Sequence, residues 1–133
     1  LGVVNKKKEV SVMEDYMKKL KIAASSKFIP AGSLSGGNQQ KVVIAKWLFA
    51  DSDIIIFDEP TRGIDVGAKT EVYNLINEFI LEGKAVIVIS SELPELLGIC
   101  SRIITIADGK ITGEFNEKAS QETLLAVMIG GGN

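Results

Sequence analysis

The sequence predicts an α/β fold: a parallel sheet with flanking helices, followed by a C-terminal antiparallel hairpin. Three observations carry this prediction. Ile54 to Phe57 and Ala85 to Ile89 are uninterrupted apolar runs, as expected of strands covered on both faces. Between them, Val72, Leu75, Ile76, Phe79 and Ile80 recur at helical spacing, so the strands are joined by a helix as in a parallel crossover. Finally, Asp108-Gly109 lies between Arg102–Ala107 and Lys110–Phe115, the strongest short hairpin signal.

The elements follow in order. Residues 1–10 are polar and lysine-rich and read as irregular, whereas Val12, Met13, Tyr16 and Leu20 predict an amphipathic helix over 11–24. Pro30 and Gly32 mark Ser25 to Ser33 as a loop. Ser35 can cap a helix from Gly36 to Ala50. Asp65 can cap the long helix that runs to Glu82 and ends at Gly83. Ser91 to Gly98 suits a short helix, with Pro94 tolerated in its first turn. Ser120 can cap a last helix to about Ile129, and Gly130-Gly131-Gly132 reads as a loose tail.

Composition narrows the function. The 133 residues suffice for one domain with a real core, and 46% hydrophobic content excludes disorder of the whole chain. A net charge of −2 offers no electrostatic case for nucleic acid. The clusters Lys6-Lys7-Lys8 and Lys18-Lys19-Lys21 are interleaved with Glu9, Glu14 and Asp15. They read as a solvated helical face or as a contact with a partner or lipid headgroups. The single cysteine, Cys100, sits in an apolar run and reads as a small buried hydrophobe. There is no histidine, which removes the commonest general base. No apolar run approaches the roughly 20 residues that span a bilayer, and no charged-then-apolar export signal opens the sequence. The expected compartment is the cytosol.

Two motifs carry chemistry. In Ile54-Ile55-Ile56-Phe57-Asp58-Glu59-Pro60-Thr61, Asp58 projects from the C-terminal end of a strand, where ligands of open α/β sheets bind. A carboxylate there can hold Mg²⁺ while the metal bridges phosphates. The adjacent Glu59 could take a proton from an attacking water. The bland alternative is an acidic loop. In Leu34-Ser35-Gly36-Gly37-Asn38-Gln39-Gln40-Lys41, Gly36 and Gly37 let a phosphate approach the backbone. Ser35 adds a hydroxyl, and the helix start adds free N–H groups and a favourable dipole. The alternative is an ordinary Ser-Gly helix cap.

Taken together, these runs resemble the signature and Walker B motifs of an ATP-binding cassette (ABC) ATPase, a P-loop NTPase fold. No G-x-x-x-x-G-K-[S/T] occurs, so the phosphate-binding loop of such an ATPase is missing. The chain therefore reads as the C-terminal part of a nucleotide-binding domain, with a partial helical signature subdomain over 1–50 and part of the ATPase core over 51–133. Leu34 to Leu48 and Asp58 to Lys69 are most similar to the second cassette of sugar importers of the ribose, galactose and xylose type.

That resemblance implies roles. Ser35, Gly36 and Gly37 would contact the γ-phosphate of ATP on the opposite cassette, with Gln39 and Asp65 as further nucleotide-side candidates. Asp58 would serve Mg²⁺, and Glu59 would be the candidate base. Gly63-Ile64-Asp65 would form the D-loop that crosses between cassettes. Implied partners are the opposite cassette, membrane permease subunits and, indirectly, a sugar-binding protein, at the cytoplasmic face of the membrane. One departure stands out: the switch-histidine position holds Ser91, which cannot supply an imidazole. Two other readings stay open, a non-transport ABC ATPase of DNA repair or translation and a non-catalytic cassette with a regulatory role. Trp47 also stays open, as core or subdomain packing or as a contact with the permease.

Overall fold

A computed structural model describes residues 4–116 and 119–130. Helix α1 spans Lys6–Lys19, a short 3₁₀ turn Ala31–Ser33, α2 Gly36–Phe49, β1 Ile54–Asp58 and α3 Val66–Leu81. Then come β2 Ala85–Ile89, α4 Leu93–Ile99, β3 Ile103–Ala107, β4 Lys110–Phe115 and α5 Gln121–Gly130. Strand β1 pairs with β2 in a parallel sheet, and β3 pairs with β4 in an antiparallel sheet of its own.

The chain divides into two compact units. Among the described residues, one comprises 4–55 and 60–87, the other 56–59, 88–116 and 119–130. This division by compactness differs from the division by motif at residue 50.

In the first unit, α1 begins five residues before the sequence suggests. The reason is local: the Asn5 side chain accepts hydrogen bonds from the Lys7 and Lys8 amides at 3.1 and 3.2 Å, and Glu9 favours the helix start. The helix also ends early. Lys21 adopts φ = 50°, and the Ile22 and Lys21 amides return to the carbonyls of Met17 and Lys18. This is a Schellman stop made without glycine. Helix α3 ends the same way at Gly83, as expected, with φ = 83° and bonds to the Phe79 and Ile80 carbonyls. Leu20, Ile44, Ile55, Val72, Leu75, Ile76 and Phe79 are buried in this unit. Tyr16 and Phe49 meet edge to face, centroids 6.2 Å apart.

Two expectations about apolar residues need correction. Burial along β1 alternates: Ile55 and Phe57 are buried, whereas Ile54 and Ile56 are exposed, as are Ile87 and Ile89 in β2. A parallel pair needs cover on both faces to bury both sets of side chains, and this chain supplies it for one set. Trp47 is not core, being 53% exposed with Val43 one turn before it.

In the second unit, Asp108 and Gly109 both take positive φ, 49° and 73°, the geometry of a type I′ hairpin turn. The register pairs Ile103 with Phe115 and Ala107 with Lys110, with a bulge at Thr105/Ile106 that leaves Thr112 as the extra residue. Leu93, Ile103 and Leu124 form a buried core, against which Leu96, Leu97, Cys100, Phe115 and Ala119 pack. Cys100 is thus a packing residue, and burial raises its thiol pKa. Arg102 pairs with Glu114 at 2.8 Å. The Ser120 hydroxyl accepts from the Thr123 amide, capping α5. Gly130 falls within α5, while the remainder of the expected glycine tail lies outside the described residues.

Candidate functional site

The signature residues form a turn held by its own side chains. Ser35 is the N-cap of α2, and its carbonyl accepts the first helical bond from the Gln39 amide at 2.9 Å. Its hydroxyl makes no capping bond to the helix backbone. Instead, Ser35 Oγ accepts from Asn38 Nδ2 at 2.9 Å, and Asn38 Oδ1 accepts from the Ala23 amide at 2.8 Å. Gln39 Nε2 donates to the carbonyls of Leu34 and Gly32, at 2.8 and 3.3 Å. Its amide therefore holds the preceding loop.

The two glycines differ. A Cβ on Gly36 would make ordinary contact with Ile64 at 3.6 Å, but one on Gly37 would meet the Ala68 Cβ at 2.8 Å. Gly37 is thus needed where α2 abuts the first turn of α3, whatever approaches from outside. Sequence reasoning assigned this glycine to phosphate approach alone.

Asp65 is the N-cap of α3 and accepts from the Ala68 amide at 3.0 Å. Gly63, two residues earlier, takes φ = 74°. Ser35, Gly37, Asn38 and Asp65 line one polar cleft of about 320 Å³, together with Lys41 and Glu71. The buried Lys41 ammonium pairs with Glu71 at 2.5 Å and also donates to the Lys21 carbonyl at 3.2 Å. Nothing in the residue pattern of α2 distinguished this lysine from a solvated one.

The carboxylate turn is built differently. Asp58 is the exposed last residue of β1. Glu59 follows with φ = 49°, a left-handed conformation uncommon for a side chain of its size. Its amide donates to the Ile89 carbonyl at 2.8 Å, and its Oε1 accepts from the Ser91 amide at 3.0 Å. Ser91 therefore does reach Glu59, through its main chain and not its hydroxyl. The neighbouring Ser90 hydroxyl accepts from the Glu92 amide at 3.0 Å, ahead of α4.

Among the described residues, no group of three or more His, Cys, Asp or Glu gathers at one point. Asp58 fits Mg²⁺ as one carboxylate among waters and phosphate oxygens, the usual coordination of that ion, and not as part of a protein cage. No helix among the described residues is long and apolar enough to cross a membrane.

The chain is similar to ATP-binding proteins of ABC transporters over part of their length. The family profile described as ABC transporter matches residues 3–62. The chain is 50% identical to the ribose import ATP-binding protein RbsA of Clostridium perfringens (strain SM101 / Type A), over 96% of its own length and 26% of that protein. It is 52% identical to the xylose import ATP-binding protein XylG of Thermoanaerobacter pseudethanolicus, over 98% and 26%. It is 51% identical to the L-arabinose transport ATP-binding protein AraG of Geobacillus stearothermophilus, over 95% and 25%. The chain thus spans about a quarter of the length of these relatives. Among solved structures, a dimeric bacterial ABC transporter cassette superposes with a TM-score of 0.74, at 25% identity, over 86% of this chain and 50% of that one. An ATP-binding cassette in its ADP conformation gives 0.77 at 23% identity, over 97% and 53%, a likeness of fold.

Proposed function

We propose that this chain is the C-terminal part of the second nucleotide-binding domain of a sugar importer, and that the longer protein couples ATP binding and hydrolysis to uptake. The observation that carries this reading is the Ser35-Gly36-Gly37 turn, presented at the start of α2 with its hydroxyl outside the helix's own bonding. Relatives named for ribose import, xylose import and L-arabinose transport support the substrate class. Residues 1–50 are part of the signature subdomain, and 51–133 are part of the ATPase core.

The residues divide the work as follows. Ser35, Gly36 and Gly37 meet the γ-phosphate of ATP held by the opposite cassette, of the same or a second polypeptide. Asp58 would hold Mg²⁺, which would supply positive charge to offset that of the phosphates. Glu59 is the base, with its carboxylate oriented by the Ser91 amide. Asp65 and Gln39 act mainly as scaffold, since a cap and a loop tie already engage their side chains. The partners are the opposite cassette, the permease subunits and, through them, a sugar-binding protein; the site of action is the cytoplasmic face of the membrane.

A second reading has one observation behind it. The position expected to hold the switch histidine is Ser91, so the Glu59 site lacks an imidazole and is slow or silent. The signature turn serves the other site and is unaffected. Sugar uptake and ATP hydrolysis by the full-length protein in its assembled transporter test both readings. Ser35→Arg should abolish both activities, whereas Glu59→Gln should reduce them only in part. The opposite pattern overturns the assignment. This chain by itself should bind ATP weakly or not at all, because it lacks the nest of N–H groups and the lysine of a phosphate loop. Titration calorimetry giving a micromolar, Mg²⁺-dependent affinity would refute that.

A further inference from the structure

We propose that Asn38 is a positioning residue that commits the Ser35 hydroxyl to donating its proton outward, to an anionic oxygen. The inference rests on the reading that Ser35 meets a phosphate.

Two hydrogen bonds fix the orientation of the Asn38 side chain. The Ala23 amide can only donate, so the Asn38 atom 2.8 Å from it is the carbonyl oxygen. That fixes which way round the side-chain amide sits, a choice that is otherwise ambiguous. Asn38 Nδ2 therefore faces Ser35 Oγ, at 2.9 Å. An amide nitrogen only donates, so Ser35 Oγ is the acceptor in this pair. A serine hydroxyl carries one proton, and this contact does not use it.

Nor does the helix recruit that hydroxyl, since Ser35 makes no side-chain capping bond. In an ordinary cap, the hydroxyl accepts from the helix's second or third amide. Here Asn38, at the third helical position, supplies the donor from its side chain. Ser35 is exposed and lies on the rim of the polar cleft, so its proton is free to face a ligand. A phosphate oxygen is purely an acceptor and requires such a donor. The Ser35 rotor is thereby set before the ligand arrives, which removes a reorganisation step at the moment of reaction.

Asn38 is itself well anchored. It reaches the loop that follows α1, and Lys41, three positions further along α2, grips the same loop at the Lys21 carbonyl. The side chain is partly buried. Asn38 is thus held in place to act on the ligand through Ser35.

The test is a double-mutant cycle on the ATPase kcat and KM of the full-length protein in its transporter, with thermal melting of each variant alongside. Ser35→Ala, Asn38→Ala and the pair are compared. We expect Asn38→Ala to lower kcat roughly tenfold, about the worth of one neutral hydrogen bond, and the pair to be no slower than Ser35→Ala. Asn38→Asp should be slower than Asn38→Ala while melting near wild type. It keeps an acceptor for the Ala23 amide but presents only acceptors to Ser35, so it draws the hydroxyl proton inward. Losses that multiply in the pair would overturn the proposal, as would Asn38→Asp turning over like wild type. Wild-type turnover of Ser35→Ala would instead overturn the phosphate reading of the signature turn, and this inference with it.

Discussion

The two candidate turns hold their polar side chains by opposite means. At the signature turn, side chains hold a side chain: Asn38 orients the Ser35 hydroxyl, and Gln39 ties down the loop before it. At the carboxylate turn, the main chain holds a side chain: Glu59 is left-handed, its amide is on Ile89, and its carboxylate accepts from the Ser91 amide. The first arrangement depends on residue identity at several positions. The second draws on residue 91 through its main-chain N–H.

The sharpest way to break this comparison is Gly37→Asp in the full-length protein. It puts a Cβ 2.8 Å from that of Ala68 and a carboxylate beside the proposed phosphate position. ATPase turnover should fall by about 10²–10³, as for loss of a well-placed oxyanion contact. Turnover near normal would remove the signature turn from the active machinery.

Packing and chemistry at Gly37 can be separated with a second glycine. Gly113 is equally crowded, with Val127 Cγ1 at 2.9 Å and the Thr105 hydroxyl at 3.0 Å from a Cβ built on it, but it has no proposed ligand. Gly37→Ala and Gly113→Ala should each cost about 1–3 kcal/mol in urea unfolding, the usual range for overpacking. Only Gly37→Ala should also lower ATPase activity at a temperature where both variants are folded. Equal effects on activity would mean that Gly37 is purely structural.

At the carboxylate turn, Ser91→Pro removes the amide that Glu59 uses, whereas Ser91→Ala keeps it. Residual turnover of the Glu59 site and the melting temperature should both fall more for proline than for alanine. Equal effects would show that the hydroxyl matters and the main-chain contact does not. Glu59→Gln should cost less turnover than the same change in the other cassette.

The smallest effect lies far from both turns. Asp51 pairs with Lys84 at 2.5 Å, and that hydrogen bond, with the lysine's charge, lowers the Asp51 pKa. A lowered carboxylate pKa stabilises the fold above the ordinary aspartate range near pH 3.9. This contribution is lost as the pH falls through the folded-state value. Asp51→Asn should therefore leave a slightly flatter stability profile below about pH 4 and otherwise behave like wild type. The pair is at the surface, where such contributions are small. A large loss of stability at neutral pH would contradict this.

Much of this protein was legible in its residues, because the signals concerned are local. Two apolar runs with a helical stripe between them, the Asp108-Gly109 turn, the Asp65 cap and the Gly83 stop each act within a few residues, and the structure follows them. The motifs at Ser35–Lys41 and Asp58–Thr61 were likewise readable, since short runs of fixed chemistry carry the family likeness. Helix α1 was misplaced at both ends because an Asn5 cap and a left-handed Lys21 outweighed the apolar period. Tertiary structure alone decided which isoleucines are covered, why Gly37 must lack a side chain, and that Lys41 is buried against Glu71. It also decided which atom holds Glu59 and which holds the Ser35 hydroxyl. Those depend on groups distant in the chain, Ser91 for one and Ala23 for the other, and sequence periodicity carries no record of such meetings.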